Sequence, residues 1–140
     1  MTLHMIKLSV GTESLEDLAA WHAERLKRSG RLWHRTRMMP KRADEIVEGG
    51  GSIYWVIKGV VLGRQRITGF ERVVDSEGRP DSLILLDKDL VPVEPRAHRA
   101  FQGWRYLKAG DAPRDLGEGG KELAEMPPEM LAELRALGLL

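Results

Sequence analysis

Side chains two residues apart in an extended chain share a face, and Arg64-Gln65-Arg66 would place two guanidiniums that way. Such a pair can clamp a phosphate or carboxylate through forked N–H donors. The competing reading is the solvated face of an antiparallel sheet. A second cluster, Phe101-Gln102-Gly103-Trp104-Arg105-Tyr106-Leu107-Lys108, interleaves aromatic rings with cations. In a strand, Trp104 and Tyr106 would share one face with Arg105 and Lys108 nearby. That composition suits base stacking, each stack being worth roughly 1–3 kcal/mol. Core packing competes for both rings. A third cluster, Arg37-Met38-Met39-Pro40-Lys41-Arg42, sets cations at the opening of a helix, where free amides and the helix dipole already favour an anion. Solvated helix punctuation is its alternative. Of the eight aromatic residues, Tyr54, Trp55, Phe101, Trp104 and Tyr106 lie beside Lys58 and Arg64–Arg66 or within the last basic segment, which favours the binding reading.

Other chemistries lack their residues. The chain has no cysteine, which excludes disulfides, thiolate zinc sites, iron–sulfur clusters and a thiol nucleophile. The histidines His4, His22, His34 and His98 show no paired metal-ligand spacing, and His22 falls on a core stripe, where a hydrogen-bonded structural role is expected. No serine occupies a nucleophile elbow. Gly49-Gly50-Gly51 lacks the Lys-Ser/Thr of a phosphate loop. Trp55-Val56-Ile57-Lys58 echoes a kinase strand without its catalytic partners. No catalytic residue, cofactor or metal site is therefore assigned.

Length and charge narrow the class further. At 140 residues the chain fits a single domain spanning 1–140 with a core of its own. No apolar run reaches the ~18 residues of a spanning helix, and the N-terminal residues lack a secretory pattern, so a cytoplasmic protein without membrane association is expected. Lys plus Arg number 22 against 21 Asp plus Glu, yet the charges are segregated. Trp21–Arg42 carries eight basic residues against one acidic, and Arg96–Lys108 four against none. Asp75–Glu94 and Ala109–Leu140 are acidic. Convergence of the basic segments would make a phosphate-attracting face. Separate pairing of each with an acidic neighbour is the alternative.

Periodicity supplies the elements that must position these groups. Leu3–Val10 alternates as a strand, and Ser14 opens a helix running to about Lys27, closed by Ser29-Gly30. Arg31–Met39 reads as a basic connection. Pro40 starts a two-turn helix to Glu48 that the glycines end. Ser52–Lys58 is the clearest strand, and Gly59 suggests a bend or bulge. Val60–Val74 is too long for one straight strand; the turn at Asp75–Pro80 suggests a hairpin that pairs roughly Arg64–Val74 with Ser82–Asp87. Val91–Arg96, with two prolines, must be an edge or an ordered loop. Trp104–Leu107 suggests a short last strand. Residues 109–125 suggest a mobile linker to an amphipathic helix over 127–137. The expected class is α+β, with a small, bent, mostly antiparallel sheet or barrel and flanking helices.

The runs Arg37–Glu45, Gly51–Val60, Arg64–Ile67 and Phe101–Leu107 resemble an uncharacterised alphaproteobacterial family, the domain of unknown function numbered fourteen-eighty-nine, over nearly the whole chain. A weaker likeness, at the level of fold, is to the PUA-like superfamily with its ASCH and EVE domains. It implies a bent-sheet barrel whose basic, aromatic cleft faces RNA or modified DNA. The leading expectation is accordingly a nucleic-acid-binding module, for RNA or a modified base. Its cleft would be lined by Lys41, Arg42, Tyr54, Trp55, Lys58, Arg64, Arg66, Trp104, Arg105 and Tyr106. Two alternatives stand beside it: a protein-interaction domain using the C-terminal helix, and a small amidohydrolase acting on nucleoside-like substrates through Lys58, Thr68 and Glu71.

Overall fold

In a computed structural model that describes residues 2–99, 101–116 and 129, the chain forms strands Leu3–Leu8 (β1), Leu32–Thr36 (β2), Ser52–Ile57 (β3), Val60–Val74 (β4), Pro80–Ala97 (β5) and Trp104–Lys108 (β6). Helices Leu15–Ser29 (α1) and Ala43–Glu48 (α2) lie on the crossover between β1 and β3. The strands make one open sheet in the order β2-β5-β4-β3-β1-β6. Only β1 and β3 pair in parallel, so the α+β, mostly antiparallel expectation holds, without closure into a barrel. Among the described residues no helix is long and apolar enough to cross a membrane.

Both faces of β3 are covered, which is why all six of its residues are buried. On the helix side Met5, Ile53, Trp55, Leu62, Ile67 and Ile84 pack with Leu15 and Leu18 of α1 and Ile46 of α2. On the other side Ile6, Tyr54, Val56, Val61, Val93 and Phe101 form a smaller cluster. Ser14 caps α1 by accepting from the Asp17 N–H at 3.1 Å, and the Asp17 carboxylate accepts from the Glu13 N–H at 3.0 Å. Helix α2 begins three residues later than expected. Arg42 stands outside helical geometry, and the Ala43 N–H reaches back to the Pro40 carbonyl as a turn. Where α2 feeds β3, a Cβ on Gly51 would lie 2.1 Å from the Leu3 carbonyl, so only glycine allows this helix to sit against β1.

Three elements differ from the sequence expectations. The basic stretch after α1 contains a strand: β2 pairs antiparallel with Leu86–Ser82 of β5 at the sheet edge. An edge tolerates its charges, and Arg35 ion-pairs with Asp81. Gly59 is not a bulge. Lys58 (φ 49°) and Gly59 (φ 79°) form the two-residue turn that joins β3 to β4, as a primed hairpin requires. The proline-bearing segment continues the returning strand, so β5 runs unbroken over 18 residues. Its prolines fall beyond Leu86, where β2 no longer pairs, in keeping with an edge. There the Glu94 N–H donates to the Arg114 carbonyl at 2.8 Å, and Val93 bridges Asp115. Residues Ala109–Asp111 form a 3-10 turn, so the first part of the expected linker carries structure; the expected helix over 127–137 lies outside the described residues.

The long strand β4 bends through register shifts. Gln65 faces Leu90 and Ile67 faces Leu86, so Asp87, Lys88 and Asp89 bulge opposite Arg66. The fully buried Gln65 side chain fills the gap. Its amide NH₂ donates to the Asp87 carbonyl at 3.1 Å, and its oxygen accepts from the Trp55 indole N–H at 2.8 Å. Gln65→Leu would leave the buried Trp55 indole N–H and the half-buried Asp87 carbonyl unpaired, at about 1–3 kcal/mol each. A loss of roughly 2–4 kcal/mol in urea unfolding is expected, against less than about 0.5 for Arg66→Leu at the exposed neighbouring position. Equal losses in the two variants would refute this role for the amide.

Candidate functional site

Register decides which candidate residues meet. Opposite residues in a sheet point to the same face, and Tyr54 lies opposite Arg64, Ser52 opposite Arg66, and Ile6 opposite both Tyr54 and Arg105. Lys7 lies opposite both Trp55 and Trp104, and Met5 opposite Tyr106. Tyr54, Arg64, Arg66 and Arg105 therefore occupy the face away from the helices. Trp55, Trp104 and Tyr106 occupy the helix face. The single cleft expected from the sequence is not formed, because the two-residue pleat sends the arginine pair and the aromatic pair to opposite sides. Lys58 stands apart in the β3–β4 turn, ion-paired with Glu13, which with Glu129 raises its pKa. Glu71 lies far along β4 and pairs with Arg31 at 3.0 Å, so Lys58, Thr68 and Glu71 do not gather.

On the outer face Arg64 is already engaged. Its Nε and Nη2 donate to the two Asp115 carboxylate oxygens at 2.7 Å each, and Nη1 donates to Ser52 Oγ at 3.1 Å. The hydrogen bond from Arg64 holds Asp115 below the usual carboxylate range, and its counterpart raises Arg64. This fork ties residues 112–116 to the sheet rather than waiting for a phosphate. His4 Nδ1 accepts from the Ser52 backbone N–H at 2.9 Å, which puts the neutral ring's proton on Nε2. Burial, then Arg64, lowers its pKa. Tyr54 is buried against the His4 ring, edge to face at 5.1 Å. Arg105 lies over Phe101, 5.3 Å from its centroid, and Arg66 is exposed.

At the β6 edge of the helix face the aromatic cluster does assemble. Trp104 and Tyr106 meet edge to face at 5.0 Å. The Trp104 indole donates to the Met38 carbonyl at 3.1 Å, and Tyr106 Oη accepts from the Arg42 N–H at 3.2 Å. The connection before α2 is thereby stitched to β6, and the Arg42 guanidinium sits 5.6 Å from the Tyr106 centroid. Arg42 also holds Glu45 through two contacts of 2.7 Å. Lys41 and Lys108 are exposed beside this cluster, and 37% of Tyr106 remains accessible.

One feature of the helix face was not anticipated. A cavity of about 210 Å³ lies between α1, the loop after β1 and the sheet, with Lys7, His22, Arg25, His34 and Trp55 among its walls. The His34 ring centroid is 5.2 Å from that of Trp55 and the His22 centroid 6.2 Å. In a flat sheet β2 and β3, separated by β5 and β4, would stand roughly 14 Å apart, three strand spacings. The contact therefore records how far the sheet curls. His22 Nδ1 and His34 Nε2 are buried without a hydrogen-bond partner, contrary to the bonded core role expected of His22. Burial, reinforced by Arg25, lowers His22 to about 4; burial, then Lys7, Arg25 and His22, lowers His34 to about 4. Position on the α1 stripe was the one sequence signal for His22; His34 lay in a stretch read as connection. Among the described residues no group of three potential metal ligands occurs.

With this geometry established, comparison with protein-family models matches residues 5–140 to DUF1489, described as a protein of unknown function, and the chain belongs to that family. No curated protein and no solved structure matches.

The two depressed imidazoles make stability depend on pH. In the unfolded chain both titrate near 6.5, so as pH falls the unfolded state binds protons first. The stability that the neutral rings contribute is intact above pH 6.5, drains between 6.5 and about 4, and is then exhausted. At ~1.4 kcal/mol per pKa unit, discounted for partial exposure, the expected loss is about 3–4 kcal/mol in all. His4, lowered in the same direction, adds to it. Urea unfolding across this window should show the slope, and a His22→Gln/His34→Gln variant should flatten it. An unchanged slope in the variant would contradict the assignment.

Proposed function

We propose, starting from membership in a family without assigned function, that this domain binds single-stranded nucleic acid, RNA foremost, along the β6 edge. The observation that carries the reading is the Trp104–Tyr106 pair with the Arg42 guanidinium over Tyr106 and Lys41 and Lys108 exposed alongside. Stacking requires a base that is not already stacked in a duplex, and the partly exposed Tyr106 ring offers such a surface. Lys41 and Lys108 then supply positive charge for the phosphates. Along β6, Arg105 alternates with the two rings and extends the positive surface to the other face of the edge. The PUA-like likeness belongs to the same proposal; α2 running through a glycine turn into β3 supports it, while the open sheet departs from the closed barrel that the likeness implies.

The test is fluorescence anisotropy with short labelled RNA and DNA oligonucleotides at several salt concentrations. Affinity should fall with salt, with a log–log slope of about −0.7 per phosphate contact on a single strand. Lys41→Gln/Lys108→Gln should flatten the slope by about 1.4, and Tyr106→Ala should weaken binding about tenfold at one salt concentration. Both variants should keep the parent's melting temperature to within a few degrees. Absence of binding at low salt, or equal affinity across parent and variants, would reject the proposal.

A further inference from the structure

The structure assigns a second and independent binding site: the cavity between α1 and the sheet takes a small organic anion, a carboxylate on an aromatic or branched apolar body. The walls divide by chemistry. Lys7 and Arg25 bring positive charge, and no carboxylate of the described residues lines the cavity. Leu8, Leu18 and the indoles of Trp21 and Trp55 supply apolar surface, while Val10 and Trp21 stand exposed at the same place. The volume lies below the ~300–1,000 Å³ of drug-sized sites, which restricts the occupant to about one ring with its acid group.

Three observations point to an anion rather than a neutral guest. The first is Lys7, a half-buried ammonium with no carboxylate partner among the described residues. A cation withdrawn from water without a counter-charge is destabilising, and a bound carboxylate would restore the balance. Arg25 is the second. Its Nη1 donates to the Trp33 carbonyl at 2.8 Å and its guanidinium lies 4.6 Å from the Trp33 centroid, so it is held in place without an acidic partner among the described residues. The third is the pair of histidines. Both residues line the cavity, and each ring keeps a buried nitrogen without a hydrogen-bond partner, which a purely structural core would avoid by using apolar residues. Two imidazoles of this kind can turn N–H donors toward an oxyanion, and they gain proton affinity when one arrives.

Titration of the isotope-labelled protein with benzoate, followed through the histidine ring resonances, tests the assignment. Benzoate should shift the His22 and His34 signals together and saturably at neutral pH while leaving His98, on the far side of the sheet, unmoved. Benzyl alcohol, of like size and without charge, should bind at least about tenfold more weakly. Lys7→Met keeps the apolar stem, and should weaken benzoate about tenfold at a melting temperature no lower than the parent's. The benzoate affinity of Lys41→Gln/Lys108→Gln should stay within about twofold of the parent, since neither lysine lines the cavity. No shift at either ring, equal affinity for the alcohol, or benzoate binding untouched by Lys7→Met would each overturn the assignment. The ring shifts of the parent protein decide the matter even where a variant folds poorly.

Discussion

A single buried amide sets the shape of this molecule. Gln65 holds the Trp55 indole on one side and the Asp87 carbonyl on the other, spanning the three central strands at the place where their ladder breaks. Three residues of β5 crowd opposite one of β4 there, and without the amide the half-buried carbonyl would lose its partner. The bulge bends the sheet, the bend brings β2 round toward β3, and that approach encloses the cavity beside Trp55. Apolar packing supplies most of the driving force in both clusters, but it is indifferent to direction. The amide is directional, and it fixes both the ring and the bend.

Electrostatics follow the topology closely. The alternation of basic and acidic segments along the chain turns into pairing across strands: Arg31 with Glu71, Arg35 and Arg37 with Asp81 and Asp75, Arg64 with Asp115. Exposed pairs of this sort contribute about 0–1 kcal/mol each, so they tune register more than stability. They also neutralise part of the apparent positive face. Among the described cations outside these pairs, two groups stand at the proposed sites: Lys41 and Lys108 at the sheet edge, and Lys7 with Arg25 within the cavity wall.

What could be read from the residues was whatever depends on near neighbours. The α1 cap, the apolar stripe, the β3 run, the Asp75–Pro80 turn and the aromatic–cation alternation of β6 all signal locally. The strand β2 escaped because its charges suit only an edge, and being an edge is a property of the finished sheet. The full length of β5 is hidden because Pro92 and Pro95 are tolerated only past the point where β2 stops. Candidate residues on β4 and β6 were counted together, yet whether they share a face depends on the pleat carried through β3 and β1. The cavity residues come from four separate elements, β1, α1, β2 and β3, and meet through curvature, for which no local pattern exists.

The parallel pairing of β1 has a consequence for how the chain reaches this state. Both sheet neighbours of the first strand, β3 and β6, lie later in the sequence, and the second is complete only at Lys108. The β3–β4–β5 meander, joined by short turns, closes small loops and can assemble early. During synthesis the first strand therefore waits with its apolar side uncovered until most of the domain has left the ribosome. Inserting it between β3 and β6 is a late docking step, and the edge of β3 stays open for mispairing until that step is complete.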